Sequence, residues 1–208
     1  MRIFTASRLH SRFHALFALA ALCSTLSIAP ALAATWDVDP THSTVGFKVK
    51  HLVVANVRGR FTKYTGTVVL DDADITKSKF IAKIDVASID TENAKRDEHL
   101  RSADFFDAAK HPQLTFESLS VKKTHNGIEV VGDLTMRGVT KPVLLMLEEL
   151  SHEVKDPNGN PHRAFVMKGK INRRDFGLAW SKTVEGTGAV VGDEITLELE
   201  VELMNKRP

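Results

Sequence analysis

Near the C-terminus, Ile195-Thr196-Leu197-Glu198-Leu199-Glu200-Val201-Glu202-Leu203 alternates apolar and polar residues without a break. Successive side chains of an extended strand point to opposite faces, so this stretch has one dry face and one wet face. The same period of two runs through Val45-Gly46-Phe47-Lys48-Val49 and through Phe80, Ala82, Ile84 and Val86. It returns at Leu114 and Phe116, and at Ile128, Val130, Gly132, Leu134 and Met136. Val143-Leu145-Leu147 and Phe165-Met167-Gly169-Ile171 continue it, and Phe61 to Leu70 completes a set of about eight strands. Asn126-Gly127 sits between two such runs, a strong signal for a tight hairpin. Pro157-Asn158-Gly159-Asn160-Pro161 is a loop between two others. Many strands in sequence, with short turns and no internal repeat, predict an all-β antiparallel barrel or sandwich.

The alternation stops once. From Asn93 to Lys110 the period of two is lost, and Asn93-Ala94-Lys95-Arg96-Asp97-Glu98-His99-Leu100-Arg101 reads as a short helix with Asn93 at its N-cap. Ser102 and Asp104 offer a cap for a second turn carrying Phe105 and Phe106, which Pro112 ends. Two adjacent phenylalanines on a charged segment need cover, and the rim or open end of the sheet is where they find it.

Composition narrows the function classes. The formal charge of +2 comes from the N-terminus, where residues 1–33 hold Arg2, Arg8 and Arg12 and no acid. The other 175 residues carry 25 basic and 26 acidic side chains. A near-neutral chain without basic runs lacks the phosphate-neutralising charge that nucleic-acid binding requires. Residues 1–33 follow the secretory pattern instead: a basic start, an apolar stretch from Phe13 to Cys23, then Ala31-Leu32-Ala33 as the cleavage site. The apolar stretch is shorter than the ~20 residues that a spanning helix needs. Cleavage after Ala33 is expected, leaving residues 34–208 as one domain in the periplasm. The chain's one cysteine, Cys23, is then removed, so the mature chain has neither disulfide nor thiol nucleophile. Leu22 before it is bulky where a lipid-modified cysteine wants a small neighbour.

A resemblance becomes specific at the helical break. Lys95-Arg96-Asp97-Glu98-His99-Leu100-Arg101-Ser102-Ala103-Asp104-Phe105-Phe106, followed by Lys110-His111-Pro112, resembles the signature of the YceI-like family of secreted bacterial proteins. Asp39-Pro40-Thr41-His42-Ser43, Gly59-Arg60-Phe61, Asp133 to Pro142, Asp175-Phe176-Gly177 and Val191-Gly192-Asp193-Glu194 extend it from about Trp36 to Leu203. The resemblance implies an extended eight-stranded, lipocalin-like antiparallel barrel with one short helical lid. It also implies a long polyisoprenoid, such as an isoprenoid quinone or prenyl lipid, in the barrel interior, with no other cofactor. A carrier or storage protein of this kind is expected to touch the membrane surface transiently, as a monomer or homodimer.

An eight-stranded barrel is only just wide enough for a small ligand, so small inward residues matter. Gly46, Ala82, Gly132 and Gly169 lie in phase with apolar neighbours. They either make room for a ligand or merely permit curvature; the family resemblance favours room. Expected contacts to an apolar tail are Phe47, Phe61, Ala82, Phe105, Phe106, Phe116, Gly132, Leu134 and Trp180, the last lining the pocket or plugging one end. Arg96 and His99 on the lid are expected at a polar head group, with His42 and His51 near the first strand as a second polar set.

Enzyme readings find little support. No serine lies in a Gly-x-Ser-x-Gly elbow. Gly186 to Gly192 lacks the lysine of a phosphate loop and runs into Asp193-Glu194, so it reads as a turn. Asp97 and Glu98 point about 100° apart on a helix, a poor acid/base pair. No two histidines have the short spacing that pre-orders a zinc site, and no metal is expected, although ligands from distant strands can still converge. A filled barrel serving as a periplasmic stress or interaction scaffold, and an enzyme acting on a prenyl lipid, are the alternatives to a carrier.

Overall fold

The computed structural model describes residues 33–184 and 188–205. Residues 1–32 of the expected signal segment, and Gly186-Thr187 at the start of the expected turn, lie outside them. The principal strands are β1 (Ala34–His51), β2 (Ala55–Phe61), β3 (Tyr64–Leu70) and β4 (Lys79–Asp85). After the two-residue β5 (Ile89–Asp90) come helix α1 (Ala94–Arg101) and then β6 (Gln113–Thr124), β7 (Gly127–Met136) and β8 (Val139–Leu150). Short β9 (Val154–Lys155) precedes β10 (Pro161–Asn172). Short β11 (Thr183–Val184) and β12 (Gly188–Ala189) precede the long β13 (Val191–Met204).

Strands pair antiparallel in the order β1, β3, β4, β6, β7, β8, β10, β13, and β13 returns to β1. That return closes an eight-stranded barrel, which leaves few unpaired edges. Closure rests on a ladder from Asp37↔Met204 to His51↔Val191. A register shift between Asp39 and Thr44 bends β1, so its first part pairs with β3 and its second part with β2. The stretch from Phe61 to Leu70, expected as one strand, is interrupted at Thr62 and Lys63. Their amides turn to Ser88, at 3.1 Å to its carbonyl and 3.0 Å to its hydroxyl, instead of to a neighbouring strand.

The hairpins follow local chemistry. Arg137 and Gly138 join β7 to β8 with φ of 50° and 74°, the two positive values of a type I′ turn. Asn126-Gly127 turns β6 into β7 as expected. At α1 the Asn93 side chain accepts the Arg96 amide at 3.0 Å, and the Ser102 amide closes the C-terminal end on the His99 carbonyl. Phe105 and Phe106 lie on non-helical turns rather than on a second helical one.

Two apolar clusters fill the barrel. Trp36, Leu70, Phe80, Val130, Met167 and Leu203 pack at the end remote from α1. Phe61, Ile89, Phe105, Met136, Ile171 and Phe176 pack beneath the α1 segment. Leu203 is fully buried on the closing strand, opposite Val38. Leu203→Ala is expected to cost about 2–5 kcal/mol through lost burial and the cavity left behind. Urea denaturation would show it as a lower midpoint; a loss well under 1 kcal/mol would mean that closure does not depend on this contact.

Candidate functional site

Between the two clusters lies an internal cavity of about 210 Å³. Its walls come from β1, β2, β3, β4, β6, β7, β8, β10 and β13, and its cover from the lid residues Leu100, Phe105 and Phe106. Tyr64, Thr65 and Arg173 supply the polar side chains of the lining; the rest is aliphatic, aromatic, methionine or small. Such a space favours an apolar chain over any solute that needs hydrogen bonds.

The expected tail contacts divide. Phe47, Phe61, Ala82, Phe105, Phe106, Phe116 and Leu134 line the cavity. Phe47 and Phe106 both pack on Phe61, with ring centroids 5.9 Å apart in each pair. Gly132 faces inward, but its space is taken. A Cβ there would lie 2.4 Å from the Phe116 ring and 2.7 Å from the Glu117 carbonyl. Gly169 likewise makes way for Leu145. Of the four small residues, Ala82 lines the cavity, while Gly132 and Gly169 seat a neighbour's side chain. Gly46 makes no room inside: it lies opposite Glu198, on the other phase from the cavity-lining Val45, Phe47 and Val49, and a Cβ there would meet the Glu198 carbonyl at 3.0 Å. Trp180 does not line the cavity. It packs half-buried against the lid, with its ring centroid 5.1 Å from Phe105 and 5.1 Å from His99.

The lid cations serve the fold. Arg96 donates to the Thr91 hydroxyl and carbonyl, each at 2.7 Å, and is not among the lining residues. His99 lies 2.9 Å from the Asp104 carboxylate and edge-on to Phe105, also outside the cavity. Arg101 donates to the carbonyls of Ala87 and Ile89. Arg137, at the β7–β8 turn, reaches the carbonyls of Ala103, Phe105 and Gly177. Asp97 is buried and accepts the Thr91 amide and hydroxyl. These bonds satisfy loop carbonyls that no sheet covers, and they hold Phe105 over the barrel.

Sequence reasoning missed Arg173. It continues the inward phase of Phe165, Met167, Gly169 and Ile171, and that period was the available signal. It is 3% exposed. Its guanidinium donates to the carbonyls of Gly192, Leu178 and Trp180 and pairs with Asp193 at 2.8 Å. Burial pushes its pKa below the ordinary arginine value, and Asp193 opposes that shift.

His51 ends β1, half-buried opposite Val191 and Ala55, and does not line the cavity. His42 lies on the outer face of the closing ladder, away from the lining. Its Nδ1 is 2.7 Å from Asp39 Oδ2 and 4.0 Å from Glu202 Oε1. Burial pushes the Asp39 carboxyl up, but hydrogen bonds from His42 and the Thr41 amide outweigh it and hold the group below its ordinary value. The same bond to Asp39 raises His42.

The comparisons agree with this architecture. Residues 36–203 match the YceI-like domain. Protein YceI of Escherichia coli O17:K52:H18 is 40% identical over 154 residues, covering 73% of this chain and 80% of its own. The crystal structure of the Campylobacter jejuni YCEI protein superposes with a TM-score of 0.62 at 35% identity, covering 81% of this chain and 96% of that one. A polyisoprenoid binding domain from Saccharophagus degradans, implicated in plant cell wall breakdown, shares the fold. Its TM-score is 0.56 at 16% identity, covering 83% of this chain and 98% of that one. With the matched segment running through every strand of the closed barrel, the chain belongs to the YceI-like family.

Proposed function

We propose that this protein is exported to the periplasm and holds the apolar chain of a polyisoprenoid, such as an isoprenoid quinone or prenyl lipid, as a carrier or storage protein. The observation that carries the reading is the apolar cavity under a pinned lid. A structural neighbour that is a polyisoprenoid binding domain supports the choice of ligand class. Burial supplies about 0.8 kcal/mol per CH₂-sized unit, so a chain of tens of carbons would surpass the ~18–21 kcal/mol ceiling of non-covalent affinity. Ordering costs and incomplete burial must absorb the surplus. Affinity is therefore easily supplied by the tail, and selection falls to shape. Met136 and Met167 in the lining are unbranched and repack readily, which lets the walls follow chains of different length.

Loading requires contact with a membrane, and the β1–β2 turn suits it. Val53 and Val54 are 67% and 82% exposed. Leu52 and Val53 hold φ of 51° and 65°, a costly conformation for a β-branched residue. Val49 and Val191, both cavity-lining, stand beside this turn, and Lys50 and Arg58 flank it exposed. An apolar tip between cations is the pattern of an anionic lipid surface contact.

The decisive experiment is mass spectrometry of organic extracts from protein purified out of its native compartment; a prenyl lipid is expected. Ala82→Leu fills open space in the cavity and should cut co-purified lipid severalfold while leaving the circular dichroism spectrum intact. A folded Ala82→Leu protein with wild-type lipid content rules the reading out. Gly132→Leu is uninformative here, because it strikes Phe116 before any ligand.

Val53→Asp with Val54→Asp should slow transfer of lipid from anionic vesicles several-fold and leave preloaded lipid in place. Unchanged transfer would remove the tip from the loading route. For export, the intact mass of the osmotic-shock protein should correspond to a mature N-terminus at Ala34 or Thr35. Retained Met1, or a lipid-modified Cys23 in the membrane fraction, would contradict it.

A further inference from the structure

Asp39 and Glu202 are direct partners in the closing ladder, on the face turned away from the cavity. The register shift after Asp39 lets Pro40, Thr41 and His42 bulge outward and fold the His42 ring back over the same spot. The bulge is built rather than loose. The Thr41 amide donates to Asp39 Oδ1 at 2.9 Å, and the Ser43 hydroxyl accepts the Glu202 amide at 2.9 Å. The Tyr64 hydroxyl donates to the Ser43 carbonyl at 2.6 Å. One oxygen of Asp39, the imidazole Nδ1 of His42 and one oxygen of Glu202 all lie within 4.8 Å of one another. From β10, His162 Nδ1 approaches Glu202 Oε1 at 2.8 Å, and His162 Nε2 lies 3.6 Å from Asp156.

We propose that Asp39, His42 and Glu202 form a binding site for a divalent transition ion, Zn²⁺ first, on the outer surface of the barrel. Metal–ligand bonds of about 2.0–2.2 Å require ligand atoms roughly 2.9–4.2 Å apart. The 2.7 and 4.0 Å separations at His42 need shifts of only a few tenths of an ångström to meet that range. The charge balance points the same way. Asp39 is 5% exposed, and the ion pairs formed by Asp39 and Glu202 are with His42 and His162, which lose their charge on deprotonation. A cation bound here would replace the proton shared by Asp39 and His42. Imidazole with two carboxylates suits Zn²⁺, Ni²⁺ or Co²⁺. The side chain of His42 is 63% exposed, which leaves water to complete the coordination. His162 would hold Glu202 in place from behind.

The site is independent of the cavity, and its test does not use lipid. Chelator-treated protein should bind one Zn²⁺ per chain in isothermal titration, and its melting temperature should rise with added Zn²⁺. His42→Ala, at an exposed position, should weaken binding at least tenfold and abolish the thermal shift. Glu202→Gln should do the same with the same fold, while His162→Ala should weaken binding about tenfold with the stoichiometry kept. His125→Ala, on the β6–β7 turn, should bind as wild type. The assignment is overturned if wild type takes up no stoichiometric ion at about 100 µM free Zn²⁺, roughly ten times a dissociation constant of ~10⁻⁵ M. It is equally overturned if His42→Ala binds like wild type.

Discussion

Everything in this molecule depends on the pairing of its first strand with its last. Without β1 against β13 the remaining strands would form an open sheet with two unprotected edges and no interior. Pairing them joins residues that lie from 140 (His51 and Val191) to 167 (Asp37 and Met204) positions apart in the chain. Because neighbouring side chains point to opposite faces, one ladder then serves two purposes. Val38, Leu199, Val201 and Leu203 build the inside, whereas Asp39 and Glu202 are held together on the outside. The bulge between Asp39 and Thr44 is what bends β1 far enough to pair with two collinear strands.

Closure makes an interior, but the ends of a barrel expose apolar side chains. The lid solves this at one end with aromatic side chains and holds them there with guanidinium groups. Arginine suits the task because its planar fork of donors can meet several carbonyls at fixed angles. Arg101 ties the end of α1 to the Ala87–Ile89 stretch, Arg137 holds the Phe105 turn, and Arg173 fastens the Leu178–Trp180 segment. A segment that looks highly charged in sequence is thus a set of internal fasteners. The mouth it leaves is more apolar than its composition suggests.

This explains which features could be read from the chain. Period-two alternation places side chains on faces, so the all-β barrel and most of the apolar lining were legible from residues such as Phe61, Ala82 and Leu134. The Asn93 cap and the loss of period marked the helix correctly. Phase gives direction but not occupancy. Gly132 and Ala82 look equivalent in sequence, and only the packing of Phe116 separates a filled position from an open one. Arg96 and His99, expected at a head group, turn to local partners outside the lining for another reason. Their partners are a backbone carbonyl, a threonine hydroxyl and an aspartate at short range, and such partners leave no pattern in the chain. The first half of β1 was hidden because Pro40-Thr41-His42 breaks the alternation just where the strand bulges.

The two faces of the closing ladder also suggest how the proposed lipid and metal sites would relate energetically. A ligand that binds only the folded state stabilises it in proportion to its occupancy. An ion held between Asp39 and Glu202 would strengthen the ladder that defines the cavity without touching its walls. A lipid tail would act on the same closed state from within. Neither ligand needs to contact the other, because both would favour the one arrangement in which β1 and β13 are paired. In a chain with a single cysteine, where no internal disulfide can lock the ends together, an ion bridging the first and last strands is a plain chemical substitute for that crosslink.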